Sequence, residues 1–339
     1  MTSLQALSAE MFPAIQQELK SVLNADIFPP TDHLYGMMQY HMGWLDEELA
    51  PANAKAGKQI RPLLLLLVCH AAGGDWRKAV PAAAAIELIH NFSLIHDDIE
   101  DNSPTRRGRT TLWKIWGIPL AINAGDAMFA AAHLALNRLV DHGVDPAVIV
   151  TAFRRFDETC IRLTQGQHAD MSFETRQTVS VDEYLEMITG KTSVLLQLCG
   201  ELGAMIAGAD ATTVQHYGKF ALNLGLAFQV LDDVLGIWGD EEKIGKSATT
   251  DIETRKKTLP VLYGLSQSEP LQALYAAEDQ DNTFVSQVVG LLNQHQAREY
   301  SEAYATNYSN TALEHLQAAE PTHTKPLTQL TSQLLQRQS

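Results

Sequence analysis

The sequence predicts an all-α chain, and three observations carry that expectation. Apolar residues recur at three- and four-residue spacing through nearly the whole length, few stretches alternate apolar and polar as strands do, and residues that start helices sit at the breaks between periodic segments. In order, the spacing predicts helices near 4–25, 32–50, 61–72, 77–101, 117–141, 146–174, 181–208 and 211–239. Asp32 stands at the start of the second as a cap, and Pro62 fits the first turn of the third. Asp145 followed by Pro146 opens the sixth, Ser180 with Glu183 three residues on forms a capping box for the seventh, and Asp210 caps the eighth. Beyond about 265 the pattern weakens, and the Gln- and Thr-rich end reads as a fraying helix. No Pro/Gly/Ser-rich linker and no repeat interrupts the 339 residues, of which 45% are hydrophobic, so a single domain over 1–339 is expected.

Composition excludes several classes. A formal net charge of -15 argues against nucleic acid as a partner. Cys69, Cys160 and Cys199 are odd in number and widely separated, which fits a reducing cytoplasm rather than a disulfide scaffold. The N-terminus lacks a basic stretch followed by a long apolar core, so no secretory signal is expected. The aliphatic run Leu63 to Leu67 is far short of a membrane span and reads as a buried helix face, so no transmembrane segment is expected.

Against that background two acidic clusters stand out: Asp97-Asp98-Ile99-Glu100-Asp101 and Asp232-Asp233, each at the polar end of an apolar helical stretch. Crowded carboxylates repel unless a cation sits among them. On a helix Asp97 and Asp101 share a face about 6 Å apart along the axis, a span suited to hard cations such as Mg²⁺ with bound waters and phosphate oxygens. Five residues later comes the basic run Arg106-Arg107-Gly108-Arg109; guanidinium forks beside a metal–carboxylate group are what a pyrophosphate needs. Gly57-Lys58-Gln59-Ile60-Arg61-Pro62 adds two cations near a predicted helix start. The polar connectors 102–111 and 239–251 directly follow the acidic clusters and are candidate flaps over a substrate. Taken singly these features have plain readings too. An acidic pair can be a solvated helix end, Lys58 and Arg61 surface charges, His90 an ordinary helix histidine, Gln229 a satisfied core amide and Lys191 a surface lysine. His133 and His168 have no metal-like spacing and read as structural; Gln167 and Asp170 lie in a polar break, 165–170.

Taken together, the residues resemble a known family. The stretch from Glu87-Leu88-Ile89-His90 through Asp97-Asp98-Ile99-Glu100-Asp101 to Arg106-Arg107-Gly108 is similar to the first aspartate-rich region of the trans-isoprenyl diphosphate synthases, or polyprenyl synthetases. Gly57 to Pro62 resembles the family's GKxxRP element; Gly190-Lys191-Thr192, Phe228-Gln229-Val230-Leu231-Asp232-Asp233 and Gly245-Lys246 resemble its later motifs. The match spans about 50–265, with 266–339 left to C-terminal helices. Five ordered motifs at compatible spacing are far more specific than one.

The resemblance implies an isoprenoid synthase helical bundle around a deep central cavity. It implies condensation of an allylic diphosphate (dimethylallyl, geranyl or farnesyl) with isopentenyl diphosphate, releasing pyrophosphate. Three Mg²⁺ ions are implied, with Asp97, Asp101 and Asp232 as direct ligands and Asp98 and Asp233 in support. Arg106, Lys191 and Lys246 would neutralise the leaving group; Lys58, Arg61, His90 and Arg107 would hold isopentenyl diphosphate; Thr192 and Gln229 would orient dipoles near the cation. A homodimer is implied as well. One departure concerns the second motif, where Gly236 stands in place of the usual third aspartate, with Asp240 four residues on as a substitute charge. Phe92, five positions before Asp97 with the small Ser93 next to it, resembles the tunnel floor of enzymes making geranylgeranyl diphosphate. Farnesyl diphosphate synthase, a class I terpene cyclase and a non-catalytic subunit of a hetero-oligomeric synthase are the alternatives.

Overall fold

The structure is a computed structural model that describes residues 3–24, 33–54, 57–239, 250–277 and 283–335. It is built of helices: α1 (Leu4–Leu23), α2 (His33–His41), α3 (Ile60–Ala71), α4 (Val80–Glu100), α5 (Leu112–Trp116), α6 (Ile118–Asn137), α7 (Pro146–Thr175), α8 (Val181–Ile188), α9 (Val194–Ile206) and α10 (Ala211–Trp238). After these come α11 (Thr250–Glu253), α12 (Leu259–Gln267), α13 (Glu269–Ala276), α14 (Phe284–Gln294), α15 (Ala297–Ala318) and α16 (Thr324–Leu335). Among the described residues the sheet is confined to a hairpin, β1 (Thr105–Arg106) and β2 (Arg109–Thr110), and an isolated bridge between Leu45 and Pro51.

The expected caps form. Asp145 Oδ1 accepts from Ala147 N at 2.7 Å, Asp210 Oδ1 accepts from Thr213 N at 2.8 Å, and Ser180 and Glu183 complete a reciprocal capping box. Asp32 lies outside the described residues. The second helix ends at His41 rather than near 50. Gly43 turns left-handed (φ +82), and Asp46 draws the backbone N–H groups of Glu48 and Ala50 into a local turn that competes with helix. The polar stretch 165–170 does not break α7, because Gln165 and His168 lie on its exposed side while Gly166 is buried. The C-terminal region is also better ordered than its pattern suggests. The 22-residue α15 buries Ala297, Ser301, Ala305, Ala312 and Leu316, a stripe of mostly small residues with too little hydrophobic contrast to read as periodic.

The chain divides into two compact units, each assembled from separate stretches. The first comprises Met1–Arg155, Glu201–Val214 and Pro321–Leu327; the second comprises Phe156–Gly200, Gln215–Glu320 and Thr328–Ser339. In the first, α4 packs along α6 and also against α1 and α3; α4 buries Ala82 to Ala85, and α6 buries Ala121, Ala124, Ala131, Ala132 and Ala135. Gly125 admits His96, since a Cβ there would lie 2.3 Å from its Nε2. In the second unit α10 buries Tyr217, Phe220, Leu224, Val230, Leu231, Val234 and Ile237. Each such side chain removed from water stabilises by about 1.5–3 kcal/mol, which fixes the helix that carries the second acidic pair.

Among the described residues, two helices are long and apolar enough to cross a membrane by length and composition, α10 and the stretch Ile118–Val140 that begins with α6. In α10, 61% of the most apolar window is buried within the protein. In Ile118–Val140 the figure is 39%, and Ile118, Leu120, Ile122 and Leu134 are exposed.

Candidate active site

The first acidic cluster caps the C-terminal end of α4. Asp97 is half-buried, Asp98 almost fully buried at 2% exposure, and Asp101 exposed. Asp101 is the helix C-cap, its N–H returning to the Asp97 carbonyl at 2.8 Å. Asp98 accepts from Arg106 Nε at 2.6 Å. Burial pushes the Asp98 carboxyl up to about 6, against the pull of the Arg106 guanidinium.

Arg106 reaches Asp98 because the chain reverses in a two-residue hairpin. Arg106 pairs with Arg109 across the strands, and the turn residues Arg107 and Gly108 both take positive φ (54° and 77°), as a type I′ turn requires. The base of this hairpin is tethered. Arg109 donates to the carbonyls of Tyr40 (2.7 Å) and Leu45 (2.6 Å), its guanidinium carbon sits 3.9 Å from the Tyr40 ring centroid, and Tyr40 Oη donates to the Thr110 carbonyl. Of the three arginines in the run, Arg109 is therefore structural. At the tip, Arg107 lies over the backbone of Gly57, where a Cβ would fall 2.6 Å from its Nη2. The glycine before Lys58 is what lets the guanidinium in.

Behind these cations lies a buried counter-charge. Glu87 is 3% exposed, and burial raises its carboxyl while Asn91, Arg61 and Arg107 pull it down. Arg61 Nη1 lies 3.3 Å from His90 Nε2; since a guanidinium can only donate, His90 accepts there and carries its proton on Nδ1. Burial first, then the charges of Arg61, Arg107 and Arg106, hold His90 well below the ordinary histidine value, so it is a neutral imidazole. Lys58 is exposed and half a turn before α3. Phe92 is half-buried, edge-on to Phe129 of α6 (ring centroids 5.2 Å) and tilted against His96 (4.7 Å). His133 is occupied structurally, with Nδ1 3.0 Å from the Phe129 carbonyl.

In the second unit, Asp232 is exposed and Asp233 is 4% exposed. Asp233 is held from three sides: Tyr184 Oη donates to Oδ2 in a short bond, Leu259 N donates to the same oxygen at 3.3 Å, and Gln229 Nε2 donates to Oδ1 at 3.2 Å. Burial pushes its carboxyl up to about 7 despite these donors. The chain of bonds continues, with Thr192 Oγ1 donating to Gln229 Oε1 at 3.0 Å. Thr192 and Lys191 stand on a π-helical turn, Thr189–Ser193, between α8 and α9. That turn packs on α7 through two glycines: a Cβ at Gly166 would lie 2.1 Å from Lys191 N, and one at Gly190 2.9 Å from the Arg162 carbonyl oxygen. Lys191 Nζ forms a short ion pair with Asp170.

The structure thus brings together Asp97, Asp98, Asp101, Arg106, Arg107, Arg61 and His90 within the first unit, and Asp232, Asp233, Gln229, Thr192 and Lys191 within the second. Lys246, Asp240 and most of the proposed flap 239–251 lie outside the described residues. The other proposed flap, 102–111, is the tethered hairpin. Asp98 and Asp233, expected as supporting acids, are each committed to protein partners. Sequence reasoning overlooked Tyr184, which holds Asp233, because in sequence it is indistinguishable from a core position of an amphipathic helix.

Residues 43–292 match the polyprenyl synthetase family. Over 260 residues the chain is 43% identical to a geranylgeranyl diphosphate synthase of Mycobacterium tuberculosis, covering 76% of this chain and 73% of that one. Over 231 residues it is 43% identical to a (2E,6E)-farnesyl diphosphate synthase of Mycobacterium bovis, covering 68% and 63%. The crystal structure of a polyprenyl synthetase from Streptomyces coelicolor A3(2) superposes with a TM-score of 0.89 at 34% identity, covering 98% of this chain and all of that one.

Proposed function

This chain belongs to the polyprenyl synthetase family and is a trans-prenyltransferase, and from that premise we propose that it joins an allylic diphosphate to isopentenyl diphosphate head-to-tail, giving chiefly geranylgeranyl diphosphate. The observation that carries the reading is the acidic end of α4 beside Arg106, with Arg107 seated on Gly57: anion-gripping guanidiniums next to oxygen donors for a hard cation. Asp97 and Asp101 in the first unit, and Asp232 in the second, offer oxygen donors of the kind Mg²⁺ takes, and three ions are what the family implies. Bound there, Mg²⁺ would supply charge stabilisation to the departing pyrophosphate. Arg106, Lys191 and Lys246 would add to that stabilisation; Lys58, Arg61 and Arg107 would hold the second diphosphate, with His90 contacting it or orienting Arg61. The ordered amide of Gln229 and the Thr192 hydroxyl would face the allylic cation, and the released pyrophosphate would take the proton.

We place the growing chain along α4 below Asp97, with Phe92 as the floor, braced by Phe129. Farnesyl diphosphate is the second reading, favoured by the identity to a farnesyl diphosphate synthase. A homodimer through α6 is supported by its exposed Ile118, Leu120, Ile122 and Leu134, and a reducing cytoplasm by the odd number and wide separation of Cys69, Cys160 and Cys199. The test is incubation of purified protein with Mg²⁺, labelled isopentenyl diphosphate and each short allylic primer, followed by sizing of the products. Twenty-carbon product is expected, shifting longer in Phe92→Ala. Lack of any elongated product would remove the activity, and an unchanged size distribution in the variant would remove Phe92 as the floor.

A further inference from the structure

We propose that His216 and His315 form a two-histidine site for a borderline transition-metal ion such as Zn²⁺, set apart from the aspartate clusters; this goes beyond the prenyltransferase reading and does not rest on it. The two histidines are 99 residues apart in sequence and meet within the second unit, where their Nδ1 atoms lie 3.1 Å from each other. Nitrogens held about 2.05 Å from one metal ion lie about 2.9 Å apart at a right angle and about 3.3 Å apart at the tetrahedral angle. The observed separation falls between these values. The ring centroids are 5.3 Å apart, so each Nδ1 is the part of its ring turned toward the other. His70 and His323 meet differently. They stack with centroids 4.5 Å apart and planes within 15°, so their in-plane lone pairs run side by side instead of converging.

Without metal the pair shares one hydrogen bond, with one neutral imidazole donating from Nδ1 and the other accepting. Metal entry shifts that proton to the donor ring's own Nε2, which leaves a lone pair on each Nδ1 and both rings neutral. Both residues are half-buried, so the remaining coordination positions open to water. Among the described residues no group of three or more His, Cys, Asp or Glu side chains gathers at one point, so this is a two-ligand site that exchanges its ion readily. Packing fixes both rings. His216 stands on α10 beside Tyr217 and one turn from Phe220, both fully buried, and His315 stands on α15 between the buried Ala312 and Leu316. His315 is in the last turn of α15, whose carbonyl end favours a cation, while His216 is past the first turn of α10 and its positive end. Burial, then the charges of Lys219 and His216, hold His315 below the ordinary histidine value against the pull of Glu314, which keeps the ring unprotonated at neutral pH. Imidazole nitrogen suits Zn²⁺, Ni²⁺ and Cu²⁺, whereas Mg²⁺ takes oxygen, so metal identity separates this site from the acidic ends of α4 and α10.

The test is Zn²⁺ titration by calorimetry on the full-length protein without an affinity tag, in excess Mg²⁺ to keep oxygen-donor sites filled. Wild type is compared with His216→Gln, His315→Gln and His323→Gln. Wild type and His323→Gln are expected to take up one equivalent of Zn²⁺, and to bind Cu²⁺ more tightly still. Each variant at 216 or 315 is expected to lose that equivalent. Electron paramagnetic resonance of the Cu²⁺-loaded wild type is expected to show coupling to two imidazole nitrogens, reduced in the same two variants. Metal-free thermal melts identify any variant that fails to fold, and His216→Asn then carries the comparison. Failure of wild type to take up Zn²⁺, full uptake by folded variants at 216 and 315, or loss in His323→Gln alone would overturn the proposal. Prenyl transfer is assayed separately on the same proteins; a wild type that binds Zn²⁺ but makes no prenyl product would remove the parent reading and leave this site standing.

Discussion

At the scale of single residues, the clearest physical signature is a histidine kept neutral. His41 ends α2 facing Arg106, Arg107 and Arg109, with Asn91 beside it, and its Nε2 is buried without a hydrogen-bond partner. Burial foremost, then the three guanidiniums, push the imidazole down to about 3. The unfolded chain therefore binds a proton that the folded chain refuses between roughly pH 3 and 6.5. The stability this group contributes is complete above pH 6.5 and is lost as the pH falls toward 3. Asp98 and Asp233, raised to about 6 and about 7, act with the opposite sign: their contributions fade as pH rises through those values. The difference between wild type and His41→Gln isolates the histidine. Wild type is expected to lose about 1–2 kcal/mol more than the variant between pH 7 and 5, read as the relative fall in denaturation midpoint. Parallel pH profiles for the two proteins would refute the assignment.

At the scale of elements, the residues proposed for the reaction in the second unit depend on one helix crossing. Lys191 and Thr192 stand on the π-helical turn, and Gly166 of α7 approaches that turn so closely that a Cβ would lie 2.1 Å from the Lys191 nitrogen. The obstacle is backbone, which cannot swing away as a side chain end can. Gly166→Ala is expected to destabilise by about 1–3 kcal/mol and to lower kcat more than it raises either KM, because Thr192 and Gln229 lose their alignment. An unchanged kcat would show that the crossing does not position them. Little of this was legible in sequence: Gly190-Lys191-Thr192 could be marked, but not the glycine 24 positions earlier that accommodates it. The caps at Asp145, Ser180 and Asp210 were legible, since a cap is a local bargain between a side chain and its own backbone. The hairpin at 105–110 was not, because its turn is Arg-Gly rather than the Asn-Gly that signals such a reversal, and it is held by Tyr40 and Leu45 from more than sixty residues away. The acids and arginines themselves were visible because charge stands out in a chain that is 45% hydrophobic; which of them are occupied, as Asp98 is by Arg106, depends on the fold.

At the scale of the whole molecule, α6 carries an unresolved account of apolar surface. Ile118, Leu120, Ile122 and Leu134 remain between 39% and 46% exposed on a helix whose other face is packed against α4. Isolated apolar residues on a surface are ordinary, but several along one helix favour a partner. Sedimentation of the purified protein is expected to give a mass near twice 37.3 kDa, and Ile122→Asp with Leu134→Asp is expected to shift it toward the single-chain mass; a wild-type monomer would remove the proposed interface. The interleaving of the two units has a further consequence. The first borrows Glu201–Val214 and Pro321–Leu327 from far along the chain, and the latter docks on α3, with Thr322 N donating to the Ala71 carbonyl at 2.7 Å and His323 stacked on His70. No single cut in the gene releases either half intact, so neither can be shuffled as a cassette between relatives. Such a protein changes its product by substitution within an inherited frame, not by trading modules.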